Sequence, residues 1–120
     1  MDHKIWYDNE NEIIHFKIAG DYLQEDVWQV NEQIINLLEG KPYRQILISM
    51  DPSSKIENRE TRNSANQAMQ KAGITEMAYV GASAAVRMIT KVLLKTGGIK
   101  TNGEFFKDTK DAIEWLKSKR

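Results

Sequence analysis

Ile46-Leu47-Ile48-Ser49-Met50 is a near-continuous apolar run, and Met77-Ala78-Tyr79-Val80 repeats this pattern further along the chain. Runs of this kind are typical of strands that are covered on both faces, as in parallel sheets. Glu104-Phe105-Phe106 is a third β-type run, and each of the three precedes a helical segment. Because parallel neighbours need a crossover between them, the alternation predicts a largely parallel sheet covered by helices.

Two further β-type runs and an amphipathic helix precede this pattern. His3–Tyr7 and Glu12–Ile18 alternate in character around a turn-rich segment, which predicts an antiparallel hairpin. Asp21–Gln24 has the Asp-x-x-Gln form of a capping box at the start of a helix, and Gly40 is suited to end that helix. We expect this helix to be the stability anchor, with a core stripe of Leu23, Val27, Val30, Ile34 and Leu37.

Three more helices complete the predicted order. One should run from about Asn58 to Ala72, with an apolar stripe of small residues. Ser83 is a suitable N-cap for the next helix, which should end at Gly97-Gly98, and Asp108 is a suitable N-cap for the last. The sequence therefore predicts a single α/β domain over residues 1–120, in the order β-β-α-β-α-β-α-β-α.

Composition restricts the class of protein. The 120 residues include no cysteine, which excludes disulfides, thiol chemistry and thiolate zinc sites and fits a reducing compartment. The first residues lack the basic start and apolar stretch of a signal peptide. No apolar run approaches the roughly 18 residues that a membrane-spanning helix needs. We therefore expect a cytoplasmic protein that is not an integral membrane protein.

Charge is unevenly distributed along a chain of zero net charge. Residues 1–41 contain nine acidic and three basic side chains, a balance of −6, whereas residues 86–120 have a balance of +5. This pattern is typical of solvated helix faces of opposite sign, and a basic patch for an acidic or phosphorylated partner is the alternative. Nucleic acid is not an expected partner, because the domain is not basic overall and no aromatic residues alternate with the lysines.

No set of residues predicts catalysis, a metal or a cofactor. His3 and His15 are expected to be half-exposed strand residues, without further ligands at metal-binding spacing. Ser53 and Ser54 have no evident histidine base, and serine is a weak nucleophile without one. The turn Gly81-Ala82-Ser83 matches neither a dinucleotide fingerprint nor a P-loop. We therefore predict a protein that binds rather than an enzyme.

The chain resembles the SpoIIAA-like, or STAS, family, and within it the branch grouped with Sec14-like domains of unknown role. The residues that carry the resemblance lie at 46–51, at 77–81 and in the closing stretch 105–116, which contains Ala-x-x-Trp-Leu. In anti-sigma-factor antagonists of this family, an Asp-Ser-Ser/Thr-Gly turn presents a hydroxyl for phosphorylation. Here the matching place reads Ile56-Glu57-Asn58-Arg59-Glu60-Thr61, so only Thr61 offers a hydroxyl and the turn is missing.

Two functions follow from the residues and from this resemblance. The first is a regulatory or protein-interaction module without the phosphorylated turn. Its predicted partner-contact residues are Asn58, Arg59, Thr61, Arg62, Asn66 and Met69. The alternative is a carrier or sensor of a small apolar ligand or lipid. Its pocket would lie between the sheet and the helices, at Met69, Met88 and Val92. A homodimer is compatible with either function.

Overall fold

An antiparallel hairpin opens the chain in the computed structural model, which describes residues 2–51, 53–95 and 101–120. Its strands are β1 (Lys4–Asp8) and β2 (Ile13–Ile18). The Asp8 carboxylate accepts hydrogen bonds from the backbone amides of Glu10 and Asn11, at 3.0 and 3.1 Å, and these bonds fix the turn. The predicted hairpin is confirmed.

Three parallel strands extend the hairpin. β3 (Gln45–Met50) pairs with β2, β4 (Glu76–Val80) pairs with β3, and β5 (Asn102–Phe106) pairs with β4. Within the described ranges the result is one five-stranded sheet of order β1-β2-β3-β4-β5. The predicted mixed, mostly parallel sheet is confirmed. Parallel strands align their carboxyl ends at one edge, where open α/β sheets commonly bind ligands.

Helices connect the parallel strands in the predicted order, and the last helix follows β5. They are α1 (Val27–Leu38), preceded by a short 3₁₀ turn (Gln24–Asp26), α2 (Arg59–Lys71), α3 (Ala84–Lys95) and α4 (Thr109–Ser118). Asp108 caps α4 as predicted, since its carboxylate accepts from the Asp111 amide at 2.9 Å. The predicted end of α3 at Gly97-Gly98 lies outside the described residues. Among the helices described, none has both the length and the apolar character needed to cross a membrane.

Two cores of unequal size lie on the two faces of the sheet. The larger one lies beneath α1 and α2, and α1 packs against β1, β2 and α2. The α1 side chains Val27, Val30, Ile34 and Leu38 are at most 1% exposed, so Leu38 rather than the predicted Leu37 completes the stripe. The smaller core lies beneath α4 and contains Ile13, Leu47, Ala78, Ala112 and Leu116.

The chain enters α1 through tertiary hydrogen bonds, which corrects the predicted capping box. Asp21 accepts from the Lys55 amide at 3.2 Å, and the Gln24 amide donates to Glu57 at 2.7 Å. Asp26 accepts from the Leu23 amide at 3.2 Å. Since these groups have partners that the local pattern does not reveal, the regular helix begins later, at Val27.

His3 is buried rather than half-exposed, which corrects a second expectation. Its Nδ1 accepts from the Ala19 amide, so the ring proton lies on Nε2, which donates to Asp26; both distances are 3.0 Å. His15 lies on β2 and hydrogen-bonds the Asp8 carboxylate at 3.0 Å. Both imidazoles therefore serve the fold, by tying the hairpin to its turn and to the start of α1.

Candidate functional site

An apolar cleft lies between α2, α3 and the sheet. No Cα atoms of α2 and α3 approach within 8 Å, and α3 packs against β5. Small side chains on the inner face of α2, such as Ala65 and Ala68, widen this space because they fill little volume. The cleft measures about 80 Å³. Its lining residues are Phe16, Ile18, Tyr22, Ile48, Met50, Ile56, Arg62, Ala65, Asn66, Met69, Met77, Tyr79, Val86 and Thr90.

A wider groove adjoins the cleft at the carboxyl ends of β3 and β4. It measures about 580 Å³ and shares Ile56, Arg62, Val86 and Thr90 with the cleft. Its other lining residues are Ser53, Ser54, Lys55, Ser83, Ala85 and Ile89. Among these described residues the charged side chains are Lys55 and Arg62, and none is a carboxylate. The groove is therefore a mostly apolar entrance that carries positive charge and opens toward an apolar interior.

The loop that forms one side of the groove is fixed in place. The Tyr22 amide donates to the Lys55 carbonyl at 2.7 Å, and the Glu57 amide donates to the Tyr22 carbonyl at 2.9 Å. These two bonds make a short parallel bridge between Tyr22 and Ile56. Sequence periodicity does not reveal this bridge, because it joins two single residues outside the regular strands.

The turn into α3 forms the opposite side of the groove. Gly81 has a φ of 82°, and a Cβ there would collide with the Met50 carbonyl oxygen, so this position requires glycine. Ser83 caps α3 as predicted, since its Oγ accepts from the Val86 amide at 3.2 Å. The cap sets the phase of α3 and turns Val86 and Thr90 toward the cleft.

Thr61 is not presented to solvent. The Asn58 side chain caps α2 by accepting from the Thr61 amide at 2.8 Å, and the Thr61 hydroxyl hydrogen-bonds the same oxygen at 3.0 Å. Glu57 lies 3.4 Å from that hydroxyl, and Thr61 is 0% exposed. A phosphate there would require the start of the helix to open, and the Glu57 carboxylate would repel it. Thr61 is therefore corrected from a surface contact to a buried capping residue.

The other predicted partner-contact residues separate into two groups. Asn58 and Arg59 are exposed at the start of α2, whereas Arg62 and Asn66 line the cleft. Met69 is only 6% exposed and belongs to the core, so its assignment to a partner surface is corrected. Met69 lies in the same buried stripe of α2 as Ala68 and Ala72, which are 3% and 1% exposed.

The predicted pocket residues are only partly brought together. Met69 lines the cleft, but Met88 is 68% and Val92 is 55% exposed, and neither is a lining residue. The reason is helix phase: Val86 and Thr90 face inward one turn apart, which places Met88 and Val92 on the outer side of α3. Met88 and Val92 are therefore corrected, while a ligand pocket that includes Met69 stays a prediction.

Buried phenols make the floor of the cleft neutral. Burial raises the pKa of Tyr79, whose hydroxyl contacts the Met77 sulfur at 3.6 Å. Burial, with a smaller contribution from the Asp26 carboxylate, also raises the pKa of Tyr22. Both phenols therefore stay protonated at neutral pH. In the described part of the chain, no three His, Cys, Asp or Glu side chains form a cluster that could hold a metal ion. The arrangement is suited to binding an apolar group.

Sheet order, crossovers and helix positions together define a SpoIIAA-like fold. The chain is similar to the crystal structure of an uncharacterized protein from the DUF3478 family with a SpoIIAA-like fold, from Shewanella loihica PV-4. The TM-score is 0.63 at 20% sequence identity, over 95% of this chain and 91% of that chain. This chain belongs to a family described as a domain of unknown function, DUF7793, whose model matches residues 5–120. No curated protein matches it. The SpoIIAA-like resemblance of the sequence is confirmed for the fold.

Proposed function

We propose that this chain is a non-enzymatic binding module for a small amphiphile, whose apolar end enters the cleft and whose acidic group lies in the groove. The observation that carries the proposal is the continuity of the two spaces, which share Arg62, Val86 and Thr90. Binding sites of this kind are mostly apolar, with a few polar groups that orient the ligand. Lys55 and Arg62 supply the charge that an acidic group requires.

The volumes set the size of the ligand. A single water needs about 10–15 Å³ by this measure, so the cleft of about 80 Å³ accepts a short alkyl or aromatic end. The groove of about 580 Å³ falls within the range of about 300–1,000 Å³ that is usual for small-molecule sites. We therefore favour a small amphiphile over a complete membrane lipid, the larger of the ligands that the sequence suggests.

The test is an NMR titration of the isotope-labelled protein with octanoate and, separately, with octanol. We expect both probes to shift the amides of Ala65, Met69 and Val86, and octanoate to bind more tightly. Arg62→Gln should remove the preference for octanoate while retaining octanol binding. Ala65→Leu should fill the cleft and weaken both probes about tenfold or more, by about 1.4 kcal/mol.

Ala84→Leu is the matched control, because it adds the same side chain at an exposed position at the start of α3. It should leave both titrations unchanged. The proposal is contradicted if neither probe shifts the cleft residues, or if Ala65→Leu and Ala84→Leu have equal effects. If both probes bind as expected, native mass spectrometry of protein purified from its own host would identify the natural amphiphile by its mass.

A regulatory contact with another protein at the start of α2 is the second candidate. The exposure of Asn58 and Arg59 beside the groove favours it, and the burial of the Thr61 hydroxyl is consistent with a contact that is not switched by phosphate. Pull-downs from host lysate test it. Arg59→Glu should abolish capture of the partner, whereas Thr61→Ala should retain it within a few-fold. Lys107→Glu, an exposed reversal between β5 and α4, is the control and should have no effect.

A further inference from the structure

The outer side of α1 carries alternating acidic and apolar side chains. They recur at steps of three and four residues, so they share one side of the helix and its first turn. Trp28 is 45% and Ile35 is 41% exposed, and the Lys71 ammonium lies 5.2 Å from the centroid of the Trp28 ring. We call this set the acidic face: Glu25, Trp28, Glu32, Ile35 and Glu39.

The outer side of α3 has the opposite charge around a similar apolar centre. Met88 and Val92 are exposed one turn apart, and the helix from Ala84 to Lys95 contains no acidic residue. Its basic side chains recur every four residues and form a continuous row. We call this set the basic face: Arg87, Met88, Lys91, Val92 and Lys95.

The two faces belong to opposite ends of the molecule. Helix α1 packs against β1 and β2, whereas α3 packs against β5 at the other edge of the sheet. At about 4.8 Å per strand, β1 and β5 lie about 19 Å apart. The acidic face of a chain therefore cannot meet the basic face of the same chain, but it can meet the basic face of a second copy.

We propose that this chain associates head to tail, with the acidic face of one copy docked on the basic face of the next. Trp28 and Ile35 would pack against Met88 and Val92, and Glu32 and Glu39 would pair with Lys91 and Lys95. Helices with an apolar seam flanked by opposite charges pair in this manner. Such a contact is heterologous, so it generates a ring or an open chain of copies rather than a two-fold dimer. The zero net charge of the chain adds no overall repulsion against assembly.

Sedimentation velocity with two charge-reversed variants tests this pairing. One carries Glu32→Lys and Glu39→Lys, and the other carries Lys91→Glu and Lys95→Glu. We expect the wild-type chain to associate at low ionic strength, less strongly as salt is added, and each variant alone to associate about tenfold or more weakly. An equimolar mixture of the two variants should associate again, because each then meets a face of opposite sign.

A third variant controls for attraction between net charges. Lys110→Glu with Lys117→Glu changes the net charge as the α3 reversal does, but on exposed positions of α4. It should associate alone as the wild-type chain does, because both of its faces are intact. Adding the α1-reversed variant should shorten its assemblies, because that variant offers the basic face but not the acidic one. Circular dichroism confirms that each variant is folded.

Four results would overturn the proposal. The first is a wild-type chain that stays monomeric at all concentrations and salt levels, and the second is a variant mixture that fails to associate. The third is a wild-type protein that stays monomeric and binds vesicles of phosphatidylglycerol through α3. This result would assign the basic face to an anionic membrane surface. The fourth is an α4 control that associates as weakly as the Lys91→Glu, Lys95→Glu variant, which would show that net charge, and not the two faces, drives association.

Discussion

Helices α1 and α3 have the same length of 12 residues and both carry apolar side chains at helical spacing, yet they pack differently. Helix α1 turns Val30, Ile34 and Leu38 into the core over β1 and β2. Helix α3 packs against the edge strand β5, and its Met88 and Val92 are 68% and 55% exposed. Apolar periodicity predicts that a helix has a face to cover, but the position of the helix over the sheet decides whether the fold covers it.

The same contrast separates the well-packed side of the molecule from the side where we propose that a ligand binds. Under α1 the space is filled, and Asp26 at its start is hydrogen-bonded to His3. Between α2 and α3 the space is open and continuous with the groove. Regions with few buried apolar contacts have low local stability and tend to carry the elements that move on binding. We therefore expect ligands to act on α3 and mutations to act on α1.

The largest effect should come from the core stripe of α1. Ile34 is 0% exposed, so Ile34→Ala removes buried methyl groups, leaves a cavity and should lower the free energy of unfolding by about 2–5 kcal/mol. Val92→Ala on α3, at 55% exposure, should change it by less than about 0.5 kcal/mol. Urea denaturation of both variants measures the difference. Equal effects would mean that the assigned phase of one helix is wrong.

We expect a smaller loss of stability when the hydrogen bond between His3 and Asp26 at the start of α1 is removed. His3→Ala leaves the buried Asp26 carboxylate with the Leu23 amide as its remaining hydrogen-bond donor among the described residues. A hydrogen bond to a charged group is worth about 1.5–3 kcal/mol, and we expect a loss of this size in urea denaturation. His15→Ala, which removes a more exposed imidazole from the same hairpin, is the comparison and should cost less. If His3→Ala leaves the free energy of unfolding unchanged, the hydrogen bond between His3 and Asp26 does not stabilise α1.

The Thr61 hydroxyl at the start of α2 should contribute less to the free energy of unfolding than the His3–Asp26 hydrogen bond does. The reason is that the bond from the Thr61 amide to Asn58 remains when the hydroxyl is removed. Thr61→Val keeps the shape of the side chain and the amide that donates to Asn58, so it should cost about 1 kcal/mol. Thr61→Ser retains the hydroxyl and serves as the matched control for hydrogen bonding. Thermal melts of the two variants give the comparison, and a stabilising Thr61→Val would show that the buried hydroxyl is a net cost.

The sequence predicts the order and type of the elements well, because each depends on local signals. Each of these signals determines the structure of the residues next to it in sequence. Examples are the apolar runs at 46–50 and 77–80, the caps Ser83 and Asp108, and the helix-ending Gly40. The site is predicted less well. The α2–α3 gap, the burial of Thr61 and the tie of His3 to Asp26 all depend on residues that are distant in sequence. Apolar residues that recur every 3.6 positions predict the apolar stripe of a helix. A small error in the predicted orientation of the helix nevertheless makes exposed residues look buried, as at Met88 and Val92.

The smallest expected effect is the pH dependence of stability that Asp8 gives to the turn of the hairpin against which α1 packs. Partial burial of the Asp8 carboxyl acts to raise its pKa, but hydrogen bonds from Asn11 and His15 outweigh it and lower the pKa from 3.8 to about 2. A carboxyl whose pKa falls on folding stabilises the native state above its unfolded pKa and loses this contribution as the pH drops through its folded value. The wild-type chain should thus exceed Asp8→Asn in stability at pH 5, and the difference should vanish between about pH 4 and pH 2. Urea midpoints of both proteins across this range measure it. A difference that stays constant down to pH 2 would mean that the turn depends on the shape of the Asp8 side chain and not on its charge.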